Sequence, residues 1–243
     1  MSYASQIPSK MLSAHAPTRP HETILLGLPP TGPRPSYIFM TKRNLIRWFI
    51  KEVQWATPRN VAFFVEGKCT SKIRRAYSSE LSEMQRENDR TLRLKRIKNQ
   101  DGKYAYTLSA KSLPTFLFNH DVCLRDVIGK FLHGHGLLDV SFEQPADATV
   151  LHYRLELDNG HMSDKQLENK LRHYAGIGGQ VIFIMRHRQC PRLEPRRLQK
   201  IFNLSEKVFP NMPNKILGAC FTQYLENGIV WNRKGSAKIQ ISQ

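Results

Sequence analysis

The amino-acid sequence predicts an α+β fold with a helical first half and a strand-rich second half. Apolar residues recur at helical spacing from Leu45 to Met84, and a basic hairpin pattern follows at 91–108. Strand, strand, helix and strand then succeed one another between 137 and 185. The 243 residues, 40% of them hydrophobic, suffice for one large core or two small ones. Charge adds a direction: 37 Lys and Arg against 20 Asp and Glu leave a net +17. Such an excess favours an anionic partner, nucleic acid or an acidic membrane surface, because neutralising phosphates releases condensed counterions.

Several classes are set aside on composition. No run approaches the roughly 18 to 20 apolar residues of a spanning helix, so the protein is expected not to be integral to a membrane. Positive charge carried on a helix and hairpin and not on an amphipathic stripe leaves no membrane partner expected. Residues 1–40 contain Pro29-Pro30 and no basic start followed by an apolar run, unlike a secretory signal. Cys69, Cys123, Cys190 and Cys220 form no CxxC pair. Their spread argues against a zinc site or a disulfide framework and for reduced thiols in a cytoplasmic protein.

The charge is clustered. Residues 41–111 hold 17 basic and 7 acidic residues, 112–185 hold 6 and 9, and 186–243 hold 11 and 3. Two basic blocks flanking a mildly acidic one suggest one or two binding faces, with a uniformly solvated surface as the alternative. Seven prolines between Pro8 and Pro35 make residues 1–40 an expected flexible arm, with Ile24–Leu28 a possible docking strand.

Residues 41–111 carry the more specific pattern. Leu45, Ile46, Trp48, Phe49 and Val53 share a broad face of a first helix. Thr57-Pro58 supplies an N-cap and a first-turn proline for a second helix, which closes at Gly67. A third helix, 71–87, has Lys72, Arg74, Arg75, Tyr77 and Ser78 in its first half, with Ile73, Leu81 and Met84 available to face inward. A basic hairpin follows, with Arg93, Lys95, Arg96 and Lys98 on one strand, a turn at Asn99–Gly102, and Lys103 opening the return. Three helices and a basic hairpin are the order of a winged helix-turn-helix. In that fold the third helix reads the major groove and the wing contacts backbone or minor groove. A surface helix with snorkelling basic residues is the alternative for the third helix alone.

The second half places carboxylates together. A linking helix is expected within 112–136, from Phe116 to Leu132; capping and packing are the preferred roles for His120-Asp121 and for His133 and His135. An α/β domain over 137–243 is expected to have strands at 137–142, 148–157 and 180–185 and a helix at 164–174. Closing strands are expected at 216–224 and 229–231, after a helix from Pro195 to Val208. Strand alternation puts Glu156 and Asp158 on one face, where with Asp147 they could hold Mg²⁺. Pro145-Ala-Asp147 followed by Glu156-Leu-Asp158 resembles the PD-(D/E)xK nuclease pattern. The match is degenerate: Ala146 separates proline from aspartate, and Asp158 stands where the motif has lysine. Lys170 or Lys165 could supply a migrated lysine. A degenerate nuclease fold used as a scaffold, with no cofactor, is the preferred expectation over an active Mg²⁺ nuclease and over ordinary surface carboxylates.

The whole order resembles the plasmid replication-relaxation family, which joins an N-terminal winged helix to a nuclease-like domain. The resemblance rests on Tyr104–Ser109, Asn119–Val127, Pro145–Ala148, Glu156–Gly160 and Lys170–Tyr174 before Val181–Ile184. It implies DNA binding in a plasmid or mobile-element setting. Arg188, Arg192, Arg196 and Arg197 make a second expected phosphate-contacting patch. Double-stranded DNA is the expected partner, with a homodimer and other replication or mobilisation proteins as further possibilities. A Mg²⁺-dependent nickase, an operator-binding transcriptional regulator and a purely structural interaction protein are the alternatives.

Overall fold

A computed structural model describes residues 41–88, 93–98, 104–109, 119–142, 146–187, 191–212 and 214–237. The arm expected over 1–40 lies outside the described residues. The chain is a mixture of helices and strands and divides into two compact units between Leu157 and Asp158. Among the described residues, no helix is long and apolar enough to cross a membrane.

The first unit begins with α1 (Lys42–Glu52), α2 (Pro58–Glu66) and α3 (Ser71–Gln85). Each starts at a threonine whose hydroxyl accepts a backbone N–H of the first turn: Thr41 from Asn44, Thr57 from Asn60 and Thr70 from Ile73. At α2 the cap is reciprocal, since the Asn60 side chain accepts the Thr57 N–H at 2.8 Å. Gly67, at φ +63°, ends α2 in the left-handed conformation that a side chain disfavours. Ile46, Phe49 and Ile50 of α1, Val61 and Phe64 of α2, and Leu81 and Met84 of α3 are buried. The rings of Phe49 and Phe64 stack at 4.5 Å.

β1 (Lys95–Lys98) and β2 (Tyr104–Thr107) pair antiparallel, Lys95 opposite Thr107. Helix α4 (Asn119–His135) lies against α2. A Cβ added at Gly129 would meet the Asn60 carbonyl oxygen at 2.9 Å and the Phe64 nitrogen at 3.1 Å. Near the C-terminal end of α4, Lys130 donates to the Gly67 carbonyl at 2.7 Å and His133 Nδ1 to that of Phe64 at 3.1 Å. α4 thereby satisfies the carbonyls that α2 leaves open. The antiparallel strands β3 (Val140–Ser141), β4 (Ala148–Val150) and β5 (Tyr153–Asp158) complete this unit, apart from Asp158.

The second unit holds α5 (Asp164–Ala175), β6 (Gln180–Met185), α6 (Glu194–Val208), β7 (Ile216–Cys220), α7 (Phe221–Asn227), β8 (Val230–Asn232) and β9 (Gly235–Ala237). β6 and β7 are parallel and joined through α6, while β8 and β9 continue antiparallel. Leu167, Leu171 and Tyr174 of α5 share one apolar core with Leu198, Ile201 and Phe202 of α6 and with Val181, Phe183 and Met185 of β6.

Three expected elements differ. The strand expected at 137–142 is confined to Val140–Ser141. The strand expected at 148–157 is broken by a turn at Leu151-His152, where Leu151 takes φ +55°, so its halves become the hairpin β4–β5. The strand expected at 216–224 stops at Cys220. Phe221, Tyr224 and Leu225 recur at helical spacing, all three are buried, and Gly228 at φ +70° closes the helix they form.

The contact at Gly129 carries a prediction. Alanine favours a helix by about 1 kcal/mol over glycine, yet here its methyl must displace backbone. Gly129→Ala is expected to lower unfolding free energy by about 1–3 kcal/mol in a urea titration. An unchanged or raised midpoint would refute the close approach of α2 and α4.

Candidate nucleic-acid interface

Charge is segregated along α3. From Ser71 to Ser79 the helix carries three cations and no acid, and Lys72, Arg74, Arg75 and Ser78 are exposed. Arg75 Nε donates back to the Ser71 carbonyl at 3.3 Å. Tyr77 departs from expectation. Four residues before Leu81, it falls on the inward stripe, is 2% exposed, and donates its hydroxyl to Glu66 at 2.6 Å. Burial, and then that bond, push its phenol far above the ordinary range. Tyr77 is a core residue.

The acids of this region lie further along. Arg43 of α1 reaches Glu80, Glu83 and Glu87 at 2.6, 2.8 and 3.3 Å, and Arg47 pairs with Glu87. Arg43–Glu83 is exposed and the other pairs are half-buried, so solvent screens them and they add little to stability. Their consequence here is electrostatic: the negative charge is matched locally, and the basic half of α3 is left unopposed.

On the hairpin, Arg93, Lys95 and Arg96 are exposed, and the Arg96 guanidinium lies 4.3 Å from the centre of the exposed Tyr104 ring. Lys98 ends β1, and its side chain lies outside the described residues, as do Lys103 and Arg188. Three bonds fix the root of the hairpin. Ala56 and Tyr106 exchange backbone hydrogen bonds of 2.9 and 2.8 Å, and Thr107 donates its hydroxyl to the Gln54 carbonyl at 2.8 Å. The Tyr106 hydroxyl lies 3.2 Å from Ser82 Oγ of α3. The short stretch between α1 and α2 is therefore a third partner to the hairpin, which sequence reasoning missed. Trp55 and Thr57, both β-favouring, were its only local signal.

Arg125 supports that stretch from beneath. It is 5% exposed, its guanidinium lies 3.7 Å from the centre of the Trp55 ring, and Nε donates to the Val53 and Trp55 carbonyls at 3.0 Å each. Burial pushes its pKa down.

The two expected aspartates are already bonded within their own units. In the first, Asp147 Oδ2 accepts the Leu157 N–H at 2.7 Å and lies 3.4 Å from His120 Nε2, while Glu156 is buried. In the second, Asp158 pairs with Arg197 at 2.7 Å, with side chains 1% and 15% exposed, and accepts the Gly160 N–H at 2.8 Å. Arg197 also donates to the Met162 carbonyl at 2.9 Å. It is thus turned into the fold, unlike Arg192 and Arg196, which are exposed. Lys170 lies partly exposed on α5. Among the described residues, no three His, Cys, Asp or Glu side chains gather in a way that could hold a metal ion.

His120 ties the start of α4 to the strand region of its unit. Its Nδ1 lies 3.4 Å from Asp121 and its Nε2 3.2 Å from the Leu157 carbonyl. Asp121, then Asp147, raise its pKa to about 10 against the burial that opposes them. A histidine raised in the folded state stabilises fully below its unfolded value, near 6.5, and loses that contribution as pH climbs through the folded one. Thermal stability is therefore expected to fall between about pH 6.5 and 10. His120→Gln should flatten that slope, and an unchanged slope in melts across this range would remove the ion pair from the account. No protein-family model matches this chain, and no curated protein or solved structure matches it.

Proposed function

We propose that this chain binds duplex DNA through a winged helix-turn-helix built from α1, α2, α3 and the β1–β2 hairpin. The observation that carries this is the division of charge along α3. Its first nine residues present exposed cations and hydroxyls with no acid, while Arg43 and Arg47 neutralise the acids that follow. Lys72, Arg74 and Arg75 suit base edges and phosphates of the major groove, and Ser78 suits a phosphate. Arg93, Lys95 and Arg96 suit the backbone beside it. Pairing of the inter-helix residue Ala56 with β2 supports the same fold, because it anchors the hairpin next to α3. The setting proposed is a plasmid or other mobile element in the cytoplasm, following the resemblance to the replication-relaxation family.

For the remainder of the chain we favour a scaffold of degenerate PD-(D/E)xK type over an active nuclease. Asp158 is matched by Arg197 and Asp147 by a backbone N–H, so these carboxylates already serve the fold. Mg²⁺ is not needed for the binding role.

The test is a mobility-shift titration on duplex DNA at several salt concentrations, with supercoiled plasmid and Mg²⁺ in parallel. Arg74→Gln with Arg75→Gln is expected to weaken binding at least about tenfold and to lower the salt slope by about two. Unchanged affinity and slope would overturn the assignment to α3. Mg²⁺-dependent nicking lost on Asp158→Ala would overturn the scaffold role instead.

A further inference from the structure

The second unit contains a cleft of about 280 Å³ at the carboxyl end of β6, next to the start of α6. Four cations line it, Arg186, Arg196, Arg197 and Lys200, against two acids, Asp158 and Glu194. Both acids are engaged by the protein. Asp158 holds Arg197 and the Gly160 N–H, and Glu194, 4% exposed, accepts the His187 N–H at 3.0 Å. Arg197 is committed in turn, to Asp158 and to the Met162 carbonyl.

Three cations remain to face a ligand. Arg196 is exposed and has no hydrogen-bond or ion-pair partner among the described residues. Lys200 meets Asp164 at 2.5 Å, but the two side chains are 45% and 59% exposed, so this pair exchanges readily for a stronger anion. The Arg186 side chain makes a long bond of 3.4 Å to Asn159, acts on the Glu194 carboxylate across the cleft, and lies 5.8 Å from the centre of the Phe221 ring. The carboxyl ends of parallel strands are where ligands gather in α/β units, and here β6 delivers Met185 and Arg186 to the rim.

We propose that this cleft is a phosphate-ester site, with Arg196, Lys200 and Arg186 as ligands to the phosphoryl oxygens and the buried Asp158–Arg197 pair as the rigid floor that positions them. Its volume is just below that of most ligand sites, which span roughly 300 to 1,000 Å³. That suits one phosphate group and its ester rather than an extended cofactor. The phosphate can come from a polynucleotide or from a free nucleotide. The site shares no residue with α3 and stands or falls independently of the winged-helix proposal.

Equilibrium binding to the full chain decides it, using inorganic phosphate, a mononucleotide and a short single-stranded oligonucleotide with a 5′-phosphate. Saturable binding of at least one probe is expected, weakened about tenfold or more in Arg196→Gln/Lys200→Gln and recovered in part by Arg196→Lys. Arg74→Gln/Arg75→Gln should leave mononucleotide binding unchanged. Preference for the oligonucleotide identifies a polynucleotide phosphate, and equal binding of the mononucleotide identifies a free one. The site is overturned if the native chain binds no probe saturably at millimolar concentration. Equal binding by Arg196→Gln/Lys200→Gln, with circular dichroism melts matching the native chain, overturns it as well.

Discussion

The contact between α2 and α4 sets the geometry of the first unit. Asn60 is wholly buried, and its amide donates to Asp126 at 2.7 Å and to the Val122 carbonyl at 2.9 Å. The same side chain's oxygen accepts the Thr57 N–H, so one residue both starts α2 and attaches it to α4. Asp126, also wholly buried, is balanced by Arg59 at 2.8 Å. A buried carboxylate without such partners costs several kcal/mol, so this network tolerates little displacement. Gly129 permits the approach, and Lys130 and His133 then close the far end of α2. The direction of α2 decides where the turn at Gly67 releases the chain, and so where α3 can lie.

From that frame the unit spends its charges unequally. Arg43, Arg47 and Arg125 are bonded inside it, to acids or to carbonyls, and Arg59 is ion-paired with Asp126. Lys72, Arg74, Arg93 and Lys95 are exposed. A basic composition by itself says nothing of this division. A net +17 describes the field far from the molecule, whereas contact with an anion depends on which cations have no better partner nearby. The same sorting operates in the second unit, where Arg197 is paired with a buried aspartate and Arg196, its neighbour in sequence, is exposed.

Local chemistry explains what was legible in the sequence. Thr57-Pro58 and Gly67 bracket α2 because caps and left-handed turns depend on only a few adjacent residues, and the structure has them as expected. The helical period of α3, the alternating basic hairpin and the burial of Leu81 and Met84 are likewise properties of short windows. Errors arose where a short window supports two periods. Phe221, Tyr224 and Leu225 continue the apolar run of β7 and also match a helix; burial of all three favours the helix. Leu151 interrupts what reads as one strand, since nothing in Leu151-His152 announces a positive φ.

The sequence by itself determined the mixed α and β character, most element positions, and the concentration of exposed basic residues on α3 and the hairpin. Only tertiary structure decided the partners. Ala56 meets Tyr106, Arg43 meets Glu80 and Asp158 meets Arg197 across separations of 50, 37 and 39 residues. Such bonds form because the fold brings the groups together, and at Ala56 and Asp158 it also excludes the water that would otherwise satisfy them. That is why Asp147 and Asp158, which look like metal ligands in the sequence, are, in the fold, partners of arginine, histidine and backbone N–H.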